Sequence, residues 1–478
     1  MIGSERFIDR ERELAQLVHA WDSQDSQLVL LIGRRRVGKS ALLSRLVSGR
    51  RIVYYAGARQ LRQNQLDDLG AALGRIAVDF RPGRPPSLLL RDWDNALDIF
   101  AEAATRQRVG LVIDEFPYLI DSDPAIPSLI QRWWDRVGSH SNLMLVLSGS
   151  HQSMMRNLVA YDGALHGRPT QTIDLAPLDY VQAAKFVPAW SAEDQIRAYA
   201  VTGGTPAYLE LWDDQDGLQN EIVRLAFRPS GRLFSEAPTL LRTEFNEPKT
   251  YESILRAIAN GESQPSRIAQ HAGLSGANVV GPYIDRLVAL GLVERRTLPS
   301  ELGEIRPRLS QYAIADHYLR FYFALVDPYR SAIQIGDGDA VLRGLWPDRF
   351  DQFVSRTFED VARRYVWLDR DLGLPPLTSV GPWWFPAGDI DIAAMAGGRF
   401  VAAGEARWSN SYLKPADLQE LRANVARVAP GASPMLLLFS RGGFDPNLPN
   451  GPDIRQIKPS DMFATRLDLE SAARGKGR

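Results

Sequence analysis

The chain has no cysteine. Disulfides, thiol nucleophiles and cysteine-ligated zinc are therefore excluded as sources of stability or chemistry. Histidine is scarce too. His19, His140, His151, His166, His271 and His317 are the only six in 478 residues, and no two have the i,i+3 or i,i+4 spacing that offers paired imidazoles to a metal. Only six of the 56 basic residues are lysines, a bias that points to a GC-rich genome more than to a function. No apolar run approaches the ~18–20 residues needed to span a bilayer. The N-terminal MIGSERFIDRERE is charged and lacks the apolar core of a signal peptide. A cytoplasmic protein with no membrane partner is expected. A net charge of −1 gives no global field for nucleic acid, so any such binding must come from local patches. With 45% hydrophobic and 24% charged residues the chain reads as globular, and its length predicts two to four domains.

What is present is a phosphate-binding loop. Residues Gly33-Arg34-Arg35-Arg36-Val37-Gly38-Lys39-Ser40 fit G-x-x-x-x-G-K-[ST]. An apolar strand, Leu28–Ile32, precedes the loop, and a helix-like stretch, Lys39–Val47, follows it. The glycines let the backbone wrap a phosphate and aim its N–H groups inward. Gly33, Arg36, Val37, Gly38, Lys39, Ser40 and Ala41 are the candidate nucleotide-binding positions. Lys39 can reach the β and γ phosphates, and Ser40 can hold Mg2+. A second apolar run, Val109–Ile113, ends in Asp114-Glu115. Asp114 would bind Mg2+ through water, and Glu115 would act as general base on the attacking water. A third run, Leu143–Leu147, ends in Ser148-Gly149-Ser150, where the hydroxyl of Ser150 could sense the γ-phosphate or position the water.

Further strands are expected at Ile52–Ala56 and Thr172–Leu175, with helices between. That alternation predicts an α/β fold with a mostly parallel sheet covered on both faces, and a nucleotide at the carboxyl ends of its strands. Arg168 could stabilise transition-state charge, in its own subunit or a neighbour's. From Pro177 to Arg242 the pattern is helical and suggests a lid. Within it, Gly203-Gly204-Thr205-Pro206 could form a turn facing the nucleotide, or a plain helix connector.

FIDRERE, GRRRVGKS, LVIDEFPYL, VLSGS, LHGR and TGGTPAYL occur in the order found in archaeal-type ATPases, and the chain resembles that family. The family is a branch of the P-loop superfamily near the STAND signalling ATPases and AAA+ proteins. The resemblance implies ATP and Mg2+ as cofactors, with Arg10 and Glu11 near the adenine side. It sets the turn at Pro206 where AAA+ proteins place a second sensor arginine. It also implies a winged helix and a C-terminal nuclease-like domain.

Residues 250–297 read as that winged helix, with helices over Ser253–Ala259, Arg267–Ala272 and Ala277–Ala289 and a wing from Gly291. Ser275, Asn278 and Arg286 would face outward, and Arg295, Arg296, Arg306 and Arg308 could contact phosphates from the wing. Asp285 and Glu294 dilute that basic face, so DNA and protein both remain candidate partners. Tyr312–Phe323 reads as an aromatic helical bridge packed between domains. Beyond it come a helix Phe350–Trp367 with Glu359, strands Gly388–Met395 and Arg399–Trp408, a helix Ala416–Val428 and a strand Met435–Ser440. This order, with Asp391 and Glu405-x-Arg407, resembles the PD-(D/E)xK nuclease fold. In active members the two acids bind Mg2+ and a lysine activates the water, with the helical acid as an additional ligand. Arg407 stands at the lysine position, and a guanidinium stays protonated and cannot serve as a base. Lys414 is the alternative, though nothing in the sequence places it there.

The expected architecture is a P-loop ATPase domain with a helical lid over 1–245, a winged helix over 246–311, and a helical bridge with a nuclease-like domain over 312–478. The expected function is ATP hydrolysis that repositions the later domains. The candidate partner is DNA, through residues 266–308 and the C-terminal domain. Nucleotide-dependent homo-oligomers, a STAND-like signalling switch with protein partners, and an ATP-regulated metal nuclease are the alternatives.

Overall fold

Near-continuous Val/Ile/Leu runs suit strands covered on both faces, and three such runs form the middle of one parallel sheet, with two less apolar strands at its edges. The strands are β1 (Gln27–Ile32), β2 (Ile52–Ala56), β3 (Val109–Asp114), β4 (Leu143–Gly149) and β5 (Gln171–Asp174), in the order β2-β3-β4-β1-β5. The computed structural model describes residues 8–77, 87–299, 311–346, 348–385 and 388–463. Phe7 of the FIDRERE segment and the wing residues Arg306 and Arg308 lie outside them.

Alternation along each strand fills two apolar layers. Leu30, Leu111 and Leu145 enter one, with Phe100, Phe116 and Trp133. Val29, Val112 and Val146 enter the other, with Leu42, Leu43 and Leu46 of the helix Lys39–Val47. Because β4 lies between β1 and β3, the loop after β1 and the acids after β3 are separated by a single strand end.

The chain divides into two compact units. Met1–Pro177 and Thr205–Ala207 form the first, and Leu178–Gly204 with Tyr208–Arg478 the second. The helical stretch expected as a lid therefore groups with the second unit, apart from Thr205–Ala207.

The second unit begins with helices that include Ala192–Thr202, Leu218–Ala226 and Arg232–Glu244. Three more follow, at Pro248–Ala259, Pro265–His271 and Ala277–Ala289, and then an antiparallel pair, β6 (Val293–Arg296) and β7 (Gln311–Ile314). The first of these three helices starts five residues before the expected Ser253, at a proline suited to a first turn. Val280, Ile284 and Leu287 form the buried stripe of the third helix. Tyr312–Ile314, expected as the start of a helical bridge, is instead part of β7, and the helix begins at His317. Asp316 caps it, accepting from the N–H of Leu319 at 2.7 Å. Tyr318, Phe321, Tyr322 and Phe323 are all buried, as core packing requires.

The last part is a mixed sheet of β8 (Ser379–Phe385), β9 (Gly388–Ala396), β10 (Arg399–Arg407), β11 (Met435–Ser440) and β12 (Ile454–Ile457), in the order β12-β11-β10-β9-β8. β8, β9 and β10 are antiparallel neighbours, while β11 runs parallel to β10 and β12 parallel to β11. The helices Asp348–Leu368 and Pro415–Val428 pack on β9 and β10. The expected strands are thus three of a five-stranded sheet, with β8 and β12 added at its two edges. β8, with its consecutive tryptophans Trp383 and Trp384, carried no clean alternation to announce it. No helix among the described residues is long and apolar enough to cross a membrane.

Candidate functional site

The carboxyl ends of β1, β3 and β4 bring Ser40, Asp114, Glu115 and Ser150 together. The loop after β1 turns through Arg36 at φ 68° and Gly38 at φ 98° into the helix at Lys39. Only glycine adopts the conformation at Gly38 without cost. Gly33 is equally constrained, because a Cβ there would meet the Leu175 carbonyl at 2.8 Å and Val37 at 2.9 Å. Val37 is buried, and Ala41 and Ser40 occupy the first helical turn. Lys39 is buried and folds back on the loop, donating to the carbonyls of Gly33 at 2.7 Å and Arg34 at 2.9 Å.

Asp114 is 2% exposed at the end of β3. Its Oδ2 accepts from Ser40 Oγ at 2.8 Å and from the Tyr54 hydroxyl at 2.6 Å, and its Oδ1 accepts from the N–H of Glu115 at 3.0 Å. Burial, and then the charge and hydrogen bond of Asp114, push the Tyr54 phenol well above its ordinary range. Glu115 follows at φ 51° and caps the helix Phe116–Ser122 from outside. Its Oε2 accepts from Ser150 Oγ at 2.7 Å and from the Ser150 N–H at 3.3 Å. Ser150, offered as sensor or water-positioner, is thus the group that orients Glu115.

Arg10 lies beside the loop. It is buried, with φ 79°, and its guanidinium donates to the carbonyls of Ala176 at 2.6 Å and Val37 at 3.4 Å. Its Nη1 also meets Glu13 at 3.1 Å. Pro206 reaches the same loop. The Ala207 N–H points to the Arg36 carbonyl at 3.5 Å, and the Pro206 ring lies 3.9 Å from where a Cβ on Gly38 would stand. The turn is therefore more than a helix connector.

Backbone strain singles out the same place. Among the described residues the non-glycine positions with positive φ are Asp9, Arg10, Arg36 and Glu115. Each left-handed side-chain residue costs on the order of 1–3 kcal/mol and persists where the surroundings over-determine it, which is typical of ligand clamps. The donor set also fits a magnesium nucleotide. A buried carboxylate touches the hydroxyl that follows the loop lysine, and hard oxygen ligands are what Mg2+ takes.

Arg168 requires a correction. Its Nε and Nη2 pair with Asp135 at 2.8 Å each. Thr170, two residues on, donates to the Leu28 carbonyl at the start of β1, so Arg168 sits at the amino edge of the sheet, opposite the loop. Within its own subunit it does not reach the phosphates. Arg156, by contrast, pairs with Asp174 at the end of β5 at 3.0 Å, on the carboxyl edge. Sequence reasoning missed Tyr54, because it carries no motif and is located only by strand order.

The second unit holds the other candidate cluster. Asp391 on β9 accepts from the Ala406 N–H on β10 at 2.9 Å. Burial, and then the neighbouring Asp391 charge, push Glu359 up to about 8 and Glu405 up to about 7. Asp391 is raised as well, chiefly by burial. The three acids thus share one region. Among the described residues, however, no three His, Asp or Glu side chains converge closely enough to hold a metal by themselves. Arg407 is tied down, donating to Asp417 at 2.7 Å and lying 3.5 Å from Glu405. Lys414 is exposed at the head of the helix Pro415–Val428.

On the wing, Arg296 was expected at phosphates. It pairs instead with Glu294 at 2.6 Å and Asp360 at 3.5 Å. Burial favours the neutral acid at Asp360, but Arg363, Arg296 and Arg320 outweigh it and hold that carboxyl well below its ordinary range. Ser275, Asn278 and Arg295 are exposed, and Arg286 is half-buried.

Comparison with known proteins agrees with this geometry. The family described as an ATPase domain predominantly from Archaea matches residues 7–211. A second, described as archaeal and bacterial proteins of unknown function, matches residues 322–421. An uncharacterised protein of Methanocaldococcus jannaschii is 28% identical over 430 residues, 88% of this chain and 91% of that one. An uncharacterised ATP-binding protein of the same organism is 36% identical over 52 residues, 11% of this chain and 88% of that one. A Walker-type ATPase of Pyrococcus abyssi shares the fold with a TM-score of 0.52 at 18% identity, covering 67% of this chain and 97% of that one. The chain therefore carries an ATPase domain of the family found predominantly in Archaea, joined to the C-terminal domain of archaeal and bacterial proteins of unknown function.

Proposed function

We propose that this protein is a Mg2+-dependent ATP-hydrolysing switch whose nucleotide state governs the helical, winged-helix and C-terminal parts of the second unit, acting on nucleic acid. The carrying observation is the contact of Ser40 with Asp114 beside Glu115 held by Ser150. Lys39 releases the loop carbonyls to meet the β and γ phosphates, and the N–H groups of the loop bind their oxygens. Ser40 and, through water, Asp114 would hold Mg2+, which supplies charge neutralisation during phosphoryl transfer. Glu115 takes the proton of the attacking water, in line with the bond that breaks. Pro206 lines the loop, so occupancy of the site bears on the chain that runs from it into the helices on either side.

The C-terminal sheet, with an acid on each of β9 and β10, is read here as a nuclease-like module that holds nucleic-acid backbone. Cleavage would lack a lysine base, because Arg407 occupies that position and is bound to Asp417. The test is steady-state ATP turnover with and without duplex and single-stranded DNA. Lys39→Ala should abolish nucleotide binding or turnover, while Glu115→Gln should bind ATP and turn it over at least 100-fold more slowly, the scale of general-base loss. Normal turnover in both variants would sink the site assignment. A rate indifferent to DNA, with ATP-driven change in oligomer size, would favour a signalling switch with protein partners.

A further inference from the structure

We propose that Tyr54 is a positioning residue of the ATP site: from β2 its hydroxyl fixes which oxygen of Asp114 faces the hydrated cation. This rests on the ATPase reading above and deepens it. A carboxylate offers about four lone-pair positions, two on each oxygen. At Asp114 three are filled by named donors. Ser40 Oγ and the Tyr54 hydroxyl both donate to Oδ2, at 2.8 and 2.6 Å, and the Glu115 N–H donates to Oδ1 at 3.0 Å. The position that remains is on Oδ1, and it suits a donor such as a cation-bound water.

Tyr54 is well placed to enforce this. It pairs with Val112 in the register between β2 and β3, two residues before Asp114. Its ring packs against the layer that holds Leu42 and Leu46, so the hydroxyl is fixed by the fold and not by solvent. Without it, Oδ2 keeps only Ser40, the hydroxyl that the cation also uses. The carboxylate is then free to turn. Partners that orient metal-binding groups are worth about 10–100-fold in metal affinity or activity.

The experiment is binding of a fluorescent ADP analogue to the full chain, titrated with Mg2+ and repeated in EDTA. Variants are Tyr54→Phe and, as a control, Tyr55→Phe, which removes the neighbouring hydroxyl bonded to Gln65. In Tyr54→Phe the affinity in EDTA should match the wild type, while the Mg2+ needed for half of the metal-dependent gain should rise about 10–100-fold. Tyr55→Phe should leave both unchanged. A Tyr54→Phe titration that superposes on the wild type overturns the inference. So does an equal loss of affinity with and without Mg2+, which would mark Tyr54 as merely structural. If the wild type binds no nucleotide at all, the ATPase reading fails and this inference falls with it.

Discussion

Asp351 receives the indole N–H of Trp408 at 3.0 Å, although the two belong to different parts of the C-terminal unit. Asp351 lies in the first turn of the helix Asp348–Leu368, and Trp408 directly follows Arg407, the last residue of β10. Arg441 donates to the other oxygen of Asp351 at 2.8 Å and lies 5.0 Å over the Trp408 ring. Arg197, from the helix Ala192–Thr202, lies over the same ring at 5.4 Å and is 3.8 Å from Asp351. One carboxylate thus joins an early helix to the strand that bears Glu405. Asp351→Ala should leave two donors unmet, one of them the buried guanidinium of Arg441. Removing such an acceptor costs about 1–3 kcal/mol. Urea unfolding followed by circular dichroism should show a lower midpoint, and an unchanged midpoint would show the junction to be dispensable.

Ser150→Ala separates orientation from binding at the ATP site. It removes the 2.7 Å hydrogen bond to Glu115 and leaves the loop intact. The turnover number should fall roughly tenfold, a part of the 100-fold or more due to a general base, with nucleotide affinity unchanged. Equal losses in both quantities would contradict this division.

Gly204→Ala should be poorly tolerated. A Cβ there would stand 1.7 Å from the Leu178 carbonyl oxygen, in a turn closed by the Leu178 N–H on Gly204 O at 2.7 Å. Backbone cannot yield as a flexible side chain does, so the cost should reach about 3 kcal/mol or more. The check is a thermal melt beside Gly217→Ala, where nothing lies within 4 Å of the added carbon.

His317 gives the second unit an acid-sensitive point. Burial, and then Arg320, lower its pKa from the ordinary 6.5 to about 4. Its Nδ1 lies 3.0 Å from the Tyr199 carbonyl. The folded state therefore binds fewer protons than the unfolded chain between these two values. Stability is fully present above about pH 6.5 and is lost as pH falls towards 4, by on the order of 2–3 kcal/mol. His317→Asn should flatten that slope in melts taken from pH 7 to pH 4. An equally steep fall in the variant would assign the acid sensitivity elsewhere.

The contrast between the two candidate sites explains what the sequence could carry. GRRRVGKS and the Asp114-Glu115 pair were legible because their chemistry needs fixed residues at short range, beside apolar runs that can only be strands. Tyr54 was not, because it meets the site through the pairing of β2 with β3, which no local spacing encodes. The own-subunit reading of Arg168 failed for the same reason: Thr170 fixes it to the far edge of the sheet. In the C-terminal part, Asp391 and Glu405 stood out on alternating strands. β8 did not, since PWW breaks the period-two pattern, and β7 was hidden in an aromatic run that reads equally well as helix.

The three-residue excursion Thr205–Ala207 has a practical consequence for dissecting the protein. Because these residues belong with the sheet while those on either side do not, no single cut separates the two units into continuous pieces. A truncation ending at Pro177 would keep the loop GRRRVGKS, Asp114, Glu115 and Ser150, yet would discard Pro206 from beside Gly38. Activity lost by such a fragment would therefore not by itself show that the second unit takes part in turnover.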